Sequence, residues 1–261
     1  MNARTFDRYV ERGGLIHLLD PRVKVAVAPS FVVSVALLPD GAWPALAAAF
    51  ALVMLAAVAA RISPWLVIRR SLLGLPFLLA AVTLLFTVPG RAVWAGPWGV
   101  SISDAGLLRF GGIVARSLVS IQGAVLLTAT TRFPDILHAL RHLKVPAVLV
   151  SIIGFMYRYL FVLVDEVERL IRARAARSGR RPGLTGGGSL GWRAAVTGHM
   201  AGQLLVRSLD RSDRVYNAML ARGYRGEMLT MTPHVMRPVD WAALAVGLLA
   251  IVGLHVVPLI R

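Results

Sequence analysis

Long apolar runs separated by short polar turns constrain this chain more than any other feature of its sequence. Of its 261 residues, 57% are hydrophobic, well above the roughly 45–50% apolar share of a soluble domain. Runs of about 16 to 25 residues approach or reach the length at which a helix crosses a ~30 Å hydrocarbon layer. The pattern predicts an all-α polytopic membrane protein with about five spans. These spans are Val23–Leu38, Ala42–Ala60, Ser71–Val88, Gly106–Thr130 and Trp241–Ile260. The tripeptide Pro39-Asp40-Gly41 predicts a tight turn between the first two.

Charge predicts how these spans are oriented and how the chain is divided. The net charge is +16, and the region Thr131–Val239 alone holds 17 Lys and Arg against 7 acidic residues. Basic residues accumulate on the cytoplasmic side of a membrane. We therefore expect a cytoplasmic N-terminus and an external C-terminus. The predicted domains are a four-helix transmembrane domain (1–130), a cytoplasmic domain of long helices (131–238) and a C-terminal transmembrane helix (239–261).

One further apolar run, Val145–Val164, is long enough to be a sixth span. If it crossed the bilayer, the basic segment Arg169–Arg222 would be external, against the charge rule. Arg158 would then lie in lipid, at a cost of a few kcal/mol or more. We therefore interpret the run as a helix packed against the inner face of the membrane domain.

Two long helices separated by a flexible break are predicted within the cytoplasmic region. The first continues from this run to Arg177, with acid-first i,i+4 pairs joining Asp165 to Arg169 and Glu168 to Arg172. The tract 185–189 (TGGGS) is too glycine-rich for a helix and predicts a flexible connector. The second helix runs from Trp192 to Arg222, and Gly223 ends it.

The second helix has an amphipathic pattern. Apolar and small residues recur at alternating steps of four and three, which places them on one stripe. We expect the protein to bury that stripe. Its members are Leu205, Leu209, Ser212, Tyr216 and Met219.

Both helices finish with a small residue, an arginine and another small residue. The two ends are Ala176-Arg177-Ser178 and Ala221-Arg222-Gly223. Ordinary C-capping explains either end alone, because Arg in the last turn suits the helix dipole. Two such ends on adjoining helices favour a second interpretation, in which each arginine enters a carboxylate-lined socket and small neighbours allow close approach. Two equivalent sockets imply a partner with two-fold symmetry.

Three other arginines lie in or beside apolar segments. Arg109 is near the outer end of the fourth span and can extend to the interface. Arg116 is deeper, so it should face protein or a water-filled cleft. Its role could be internal packing or a functional contact, and the sequence favours neither. Arg158 has Asp165 and Glu166 as possible partners two turns away.

Catalytic and metal-binding patterns are weak. The chain has no cysteine, no phosphate-binding loop, no nucleophile elbow and no dinucleotide fingerprint. His138 and His142 have the i,i+4 spacing of a metal pair, but no further ligand completes a set, so we expect no metal site. We also expect no binding of nucleic acid, because the arginines alternate with acids and apolar runs.

Three stretches resemble the transmembrane (T) component of energy-coupling factor (ECF) transporters, specifically the CbiQ type of cobalt and nickel importers. The resemblance extends over most of the chain, and the third stretch is the most specific. The stretches are His17–Val25 (HLLDPRVKV), the YRYLFVLVDEVERL…ARAARS segment from Tyr157 to Ser178, and Leu204–Gly226 (LLVRSLDRSDRVYNAMLARGYRG).

The resemblance implies a bacterial inner-membrane scaffold, L-shaped, whose two coupling helices dock on a pair of cytoplasmic ATPases, which are expected to be a homodimer. Arg177 and Arg222 correspond to the docking arginines, and Ser178 stands where glycine is commoner in the family. A separate membrane subunit would capture Co²⁺ or Ni²⁺. The chain itself is then a non-catalytic subunit without a cofactor, since ATP and Mg²⁺ bind to the ATPases.

Two other functions stay open at this point. The chain could be the T component of a vitamin importer, of the biotin or riboflavin type. It could instead be a membrane enzyme that binds lipid phosphates through its cytoplasmic arginines. Catalytic turnover by the purified chain alone would favour the enzyme.

Overall fold

The computed structural model describes residues 9, 13–74, 76, 79–95, 101–177, 189–226 and 236–256. Within these residues the regular secondary structure is helical apart from one small antiparallel pair of strands, β1 (Ala92–Ala95) and β2 (Ser101–Ser103). The α-helices are α1 (Pro21–Ala36), α2 (Trp43–Ala59), α3 (Pro64–Ser71), α4 (Leu84–Thr87), α5 (Asp104–Thr130), α6 (Phe133–His142), α7 (Ala147–Arg177), α8 (Leu190–Ala221) and α9 (Pro238–Val256). Short 3₁₀ helices occupy Leu15–Leu18, Leu72–Gly74 and Leu79–Thr83.

These residues form two compact units. The first, called here the bundle, comprises the described residues of Asp7–His142 and Thr232–Arg261. The second, called here the helix pair, contains α7 and α8 and lies within Leu143–Met231. The bundle contains α1–α6 and α9. The chain is an all-α polytopic membrane protein, as its apolar runs predict.

Small residues allow the bundle helices to pack closely. Ala45, Ala49, Val53 and Ala57 are buried at four-residue steps on one face of α2. Such faces let neighbouring helix backbones approach each other in membrane proteins. On α9, Gly247 lies so near α1 that an added Cβ would be 3.1 Å from the side chain of Val27. The bundle therefore has a continuous core, with Val35 and Ala129 among its fully buried members.

A buried polar network joins α9 to the start of α1. Asp20 is the N-cap of α1, and its side chain accepts a hydrogen bond from the backbone N–H of Arg22 at 2.8 Å. The Asp240 carboxylate accepts from the backbone N–H groups of Asp20, at 2.9 Å, and Arg237, at 2.8 Å. Lys24 Nζ donates to the backbone oxygen of Thr130 on α5 at 3.2 Å. Buried polar groups are tolerated when they are paired in this way.

Four of the five predicted spans correspond to α1, α2, α5 and α9. Residues 257–260, at the end of the predicted fifth span, lie outside the described residues. The predicted turn Pro39-Asp40-Gly41 separates α1 from α2, and Gly41 has a φ of +84° there.

Over its described residues, the third predicted span, Ser71–Val88, is not one continuous α-helix. Ser71 ends α3, Pro76 is in helical conformation between two 3₁₀ helices, and the single turn of α4 follows them. Gly74 ends the first 3₁₀ helix, and Pro76 follows two residues later. Proline removes a backbone donor and clashes with the preceding turn, which interrupts a helix interior. Apolar composition predicts the span; the described residues show 3₁₀ turns within it, and its crossing of the membrane stays a prediction.

Three of the described helices are long and apolar enough to cross a membrane, namely α5, α7 and α9, and α2 is a shorter apolar helix. α7 includes most of Val145–Val164, the run for which we predict a position on the inner face. Length and composition allow both placements, so that position stays a prediction.

Candidate partner-binding site

The first candidate arginine is the last residue of α7. Arg177 and the preceding Ala176 are both exposed. Ser178, predicted to flank the arginine on the other side, lies outside the described residues. A guanidinium at this position suits the negative end of the helix dipole, so the sequence places a cation at an accessible helix end.

Ion pairs on the surface of α7 partly follow the prediction. Arg172 Nη1 contacts Glu168 Oε2 at 3.4 Å, as expected from their i,i+4 spacing. Arg169 contacts Glu166 at 3.8 Å, at i,i+3, instead of the expected Asp165. Either spacing brings side chains together on a helix surface.

The second candidate arginine is held by a well-defined helix end. Arg222 is the C-cap of α8, and Gly223 adopts a φ of +81°. The N–H of Gly223 donates to the backbone oxygen of Leu220 at 2.9 Å, and the N–H of Tyr224 donates to that of Met219 at 3.0 Å. These two bonds form a Schellman motif, in which glycine satisfies the left-handed position. The predicted helix end is therefore present, and Arg222 is exposed there.

The stripe that α8 turns inward is not the one predicted. Three of the predicted residues are more than half exposed: Leu205 at 61%, Leu209 at 59% and Tyr216 at 55%. Periodicity identifies an apolar stripe, but it does not say whether the same chain, the bilayer or a partner covers that stripe. The half-buried face of the helix lies one residue earlier over most of its length. It comprises Leu204, Ser208, Arg211, Val215 and Met219.

α7 and α8 run antiparallel. Arg174 Nη1 lies 3.2 Å from Thr197 Oγ1, near the end of α7 and the start of α8. At the other end, the rings of Phe155 and Tyr224 meet edge to face, with centroids 6.5 Å apart. Arg222 therefore lies beside the first half of α7, about 22 residues before Arg177. At 1.5 Å per residue, the two arginines are roughly 30 Å apart along the pair.

A largely apolar cavity of about 390 Å³ lies between the two helices, towards the Arg222 end. Phe155, Tyr159 and Leu163 line it from α7, and Val215 and Met219 line it from α8. The helices are thus not fully packed against each other along this stretch.

Arg116, the arginine that we expected to face protein or a cleft, has an acidic partner. Its guanidinium is hydrogen-bonded to Asp40, in the turn between α1 and α2. Arg109 Nε lies 3.7 Å from the other oxygen of the same carboxylate. Sequence reasoning missed Asp40, although an acid in a tight turn between two apolar runs was a visible signal. The contact favours internal packing for Arg116.

Arg158 is exposed on α7. The sequence suggests Asp165 and Glu166 as its possible partners, but Glu166 instead contacts Arg169 and Arg207. Glu166 is within reach of several arginines in the sequence. The antiparallel packing of α8 decides which of them it binds.

The histidine pair does not gain further ligands in the described residues. His138 and His142 have ring centroids 4.7 Å apart, and His138 Nε2 lies 3.5 Å from a guanidinium nitrogen of Arg22. No group of three or more His, Cys, Asp or Glu side chains within those residues is arranged to hold a metal ion.

Fold and site together define an integral membrane protein whose helix pair presents an exposed arginine at each end. A family model described as cobalt transport protein, CbiQ, matches residues 13–233. The chain therefore belongs to the CbiQ family of cobalt transport proteins, which confirms the resemblance drawn from the sequence.

The relatives of this chain include proteins named CbiQ and proteins named EcfT. Cobalt transport protein CbiQ of Rhodobacter capsulatus is 30% identical over 156 residues, covering 59% of this chain and 61% of that protein. CbiQ of Salmonella typhimurium is 27% identical over 174 residues, covering 64% and 74%. The energy-coupling factor transporter transmembrane protein EcfT of Thermosediminibacter oceani is 28% identical over 268 residues, covering 96% and 97%. This chain thus spans less than two thirds of the Rhodobacter protein and nearly all of the Thermosediminibacter one.

Proposed function

We propose that the chain is the transmembrane subunit of an ECF-type importer. It couples ATP hydrolysis by two cytoplasmic ATPase subunits to the uptake of cobalt or nickel ions, which a separate membrane subunit captures. The observation that carries the proposal is the pair of exposed arginines at opposite ends of the antiparallel helices α7 and α8.

The spacing of these arginines supports a dimeric partner. Side chains roughly 30 Å apart, as estimated from the helix rise, are too distant to enter one socket. They suit two sockets on two copies of one subunit. Each guanidinium would form charge-assisted bonds with acidic groups of a groove. The small residues Ala176 and Ala221 directly precede these arginines and leave room for the partner subunit to approach closely.

The remaining assignments follow from this role. The chain acts without catalysis and holds no cofactor, because ATP and Mg²⁺ are bound by the ATPase subunits. It resides in the bacterial cytoplasmic membrane. Its N-terminus and the basic helix pair face the cytoplasm and its C-terminus faces outwards, in agreement with the positive-inside rule.

Charge reversal at both helix ends tests the docking role. In the variant with Arg177→Glu and Arg222→Glu, we expect co-purification of the ATPase subunits to fall roughly 100-fold, because each change leaves a repelled and unpaired charge in a socket. The thermal unfolding of the bundle should stay unchanged. Co-purification of this variant at the wild-type level would refute the proposal.

The matched control carries the same charge change away from the ends. Arg172 and Arg214 are exposed arginines on α7 and α8. We expect the variant with Arg172→Glu and Arg214→Glu to retain the ATPase subunits, since surface charges outside an interface mainly affect association rates. An equal loss in both variants would mean that overall charge, and not the helix ends, determines binding.

One alternative differs only in its substrate class, which the EcfT names do not state. The matches to proteins named EcfT cover nearly the whole chain, whereas those to proteins named CbiQ cover about 60%. An energy-coupling factor that serves a vitamin importer would share the docking chemistry. Uptake of labelled Co²⁺, Ni²⁺, biotin and riboflavin by cells with and without the gene separates the two, and we expect loss of metal uptake alone.

A further inference from the structure

α7 and α8 are joined by few contacts. On α7 only Ser151 is buried, and no described residue of α8 is buried. A cavity occupies part of the space between them. Hydrophobic packing alone therefore provides little to fix one helix against the other along their common axis, since dense interdigitation is what resists sliding.

Besides the hydrogen bond between Arg174 and Thr197 near one end, one ion pair among the described residues joins the middle of the two helices. Glu166 Oε1 accepts a hydrogen bond from Arg207 Nη1 at 2.7 Å, and the Glu166 side chain is only 16% exposed. The second carboxylate oxygen of Glu166 lies 3.8 Å from Arg169 on the same helix. A short, charge-assisted bond with one partly buried partner is directional, and it is stronger than a fully exposed pair.

We infer that Glu166 is a positioning residue, whose bond to Arg207 sets the register of α8 along α7. Sliding one helix past the other by a single turn moves its end by about 5.4 Å. Such a slip changes the separation of Arg177 from Arg222 by a similar amount. If these arginines dock on two sockets, as proposed above, the ion pair sets the spacing that the partner must match.

A matched control lies two residues away. Glu168 is also paired with an arginine, but its partner Arg172 is on the same helix, at 3.4 Å. Removing Glu168 deletes an ion pair within α7 and leaves the bond between Glu166 and Arg207 in place. A difference between Glu166→Ala and Glu168→Ala therefore reports the interhelical bond and not a general loss of charge.

The chain contains no cysteine, so spin labels can be placed at chosen sites without first removing native cysteines. Ala173 and Ala218 are exposed, one turn before each candidate arginine. We would label Ala173→Cys and Ala218→Cys in the full-length protein in lipid nanodiscs and measure the distance distribution by double electron–electron resonance. We expect Glu166→Ala to add or shift a population by about 5 Å, one helical turn. The charge-exchanged variant Glu166→Lys with Arg207→Glu should restore the original distribution.

Three results would overturn the inference. They are an unchanged distribution for Glu166→Ala, an equal shift for Glu168→Ala, and a failure of the charge-exchanged variant to restore the distance. The measurement needs no ATPase, so its outcome is independent of the docking role. If the distances change as expected while the doubly reversed Arg177 and Arg222 variant still binds ATPases, the proposed function fails and the role of Glu166 in register stands.

Discussion

The bundle and the helix pair differ in how much of each unit is buried by contacts within that unit. In the bundle, residues such as Val35, Ala49 and Val67 are fully buried, and buried polar groups such as Asp240 are hydrogen-bonded within the unit. In the helix pair, large apolar residues including Leu205 and Leu209 are more than half exposed. The bundle has a core packed by its own sequence, whereas the helix pair has almost none, and both units leave apolar surface that other molecules or the bilayer can cover.

Because of this difference, we expect the stability of the protein to depend mainly on the bundle, and the binding of partner subunits to depend mainly on the helix pair. Substitutions in the bundle should act on the free energy of unfolding, because its contacts are internal. Substitutions at the ends of α7 and α8 should act on local helix order and on partner binding, with little effect on the bundle. Single substitutions in each unit test this division, and the largest effect is expected in the bundle.

Removing the Asp240 carboxylate should destabilise the bundle most. Asp240→Ala leaves the buried N–H of Asp20 and the N–H of Arg237 without their acceptor, at about 3 kcal/mol in total. Asp240→Asn keeps an acceptor oxygen and should lose about half as much. Thermal unfolding in detergent measures both. Asp213→Ala, at an exposed site on α8, is the control and should change stability by less than about 0.5 kcal/mol; equal effects at both sites would contradict the division.

A close backbone approach in the bundle gives the next largest effect. An added Cβ at Gly14 would lie 2.5 Å from the backbone carbonyl of Ala60. Backbone atoms cannot rotate away as a side chain can, so Gly14→Ala should destabilise the bundle by about 1–3 kcal/mol. At the neighbouring Gly13, an added Cβ would have no atom within 4 Å. Gly13→Ala should leave thermal unfolding unchanged, and equal losses for the two variants would show that the crowding at Gly14 is not the cause.

The sequence predicted best those features that depend on neighbouring residues. The turn at Pro39-Asp40-Gly41 and the end of α8 at Gly223 were both expected, and both glycines have positive φ. Each of these signals lies within a few residues, because turn and cap chemistry is local. The positions of most spans could be predicted as well, because a continuous apolar run is also a local feature of the sequence.

Features that depend on distant pairing could not be predicted. Arg116 binds Asp40, 76 positions away, and Arg207 binds Glu166, 41 positions away. The spacing of charges in a sequence reports neighbours on one helix, but not which helix packs opposite. The prediction of which face of α8 turns inward was wrong for a related reason. Its apolar stripe was visible in the sequence, but the face through Ser208 and Val215, one residue earlier, is the one that turns towards α7.

The smallest effect is expected at the end of α8, where one substitution should have opposite consequences at two glycines. Gly223 has a φ of +81° and open space around it, so Gly223→Ala introduces strain of about 1 kcal/mol. Gly198 is inside the same helix, also with open space, where alanine is favoured by up to about 1 kcal/mol. Hydrogen–deuterium exchange of the last turn of α8 should therefore become about fivefold faster in Gly223→Ala, while Gly198→Ala slows exchange around its own position.

The exchange rate in Gly223→Asn should fall between those of Gly223→Ala and the wild type, because asparagine tolerates the left-handed conformation. If Gly223→Ala instead lowered the thermal stability of the bundle and left exchange at the helix end unchanged, the end of α8 would not be independent of the bundle.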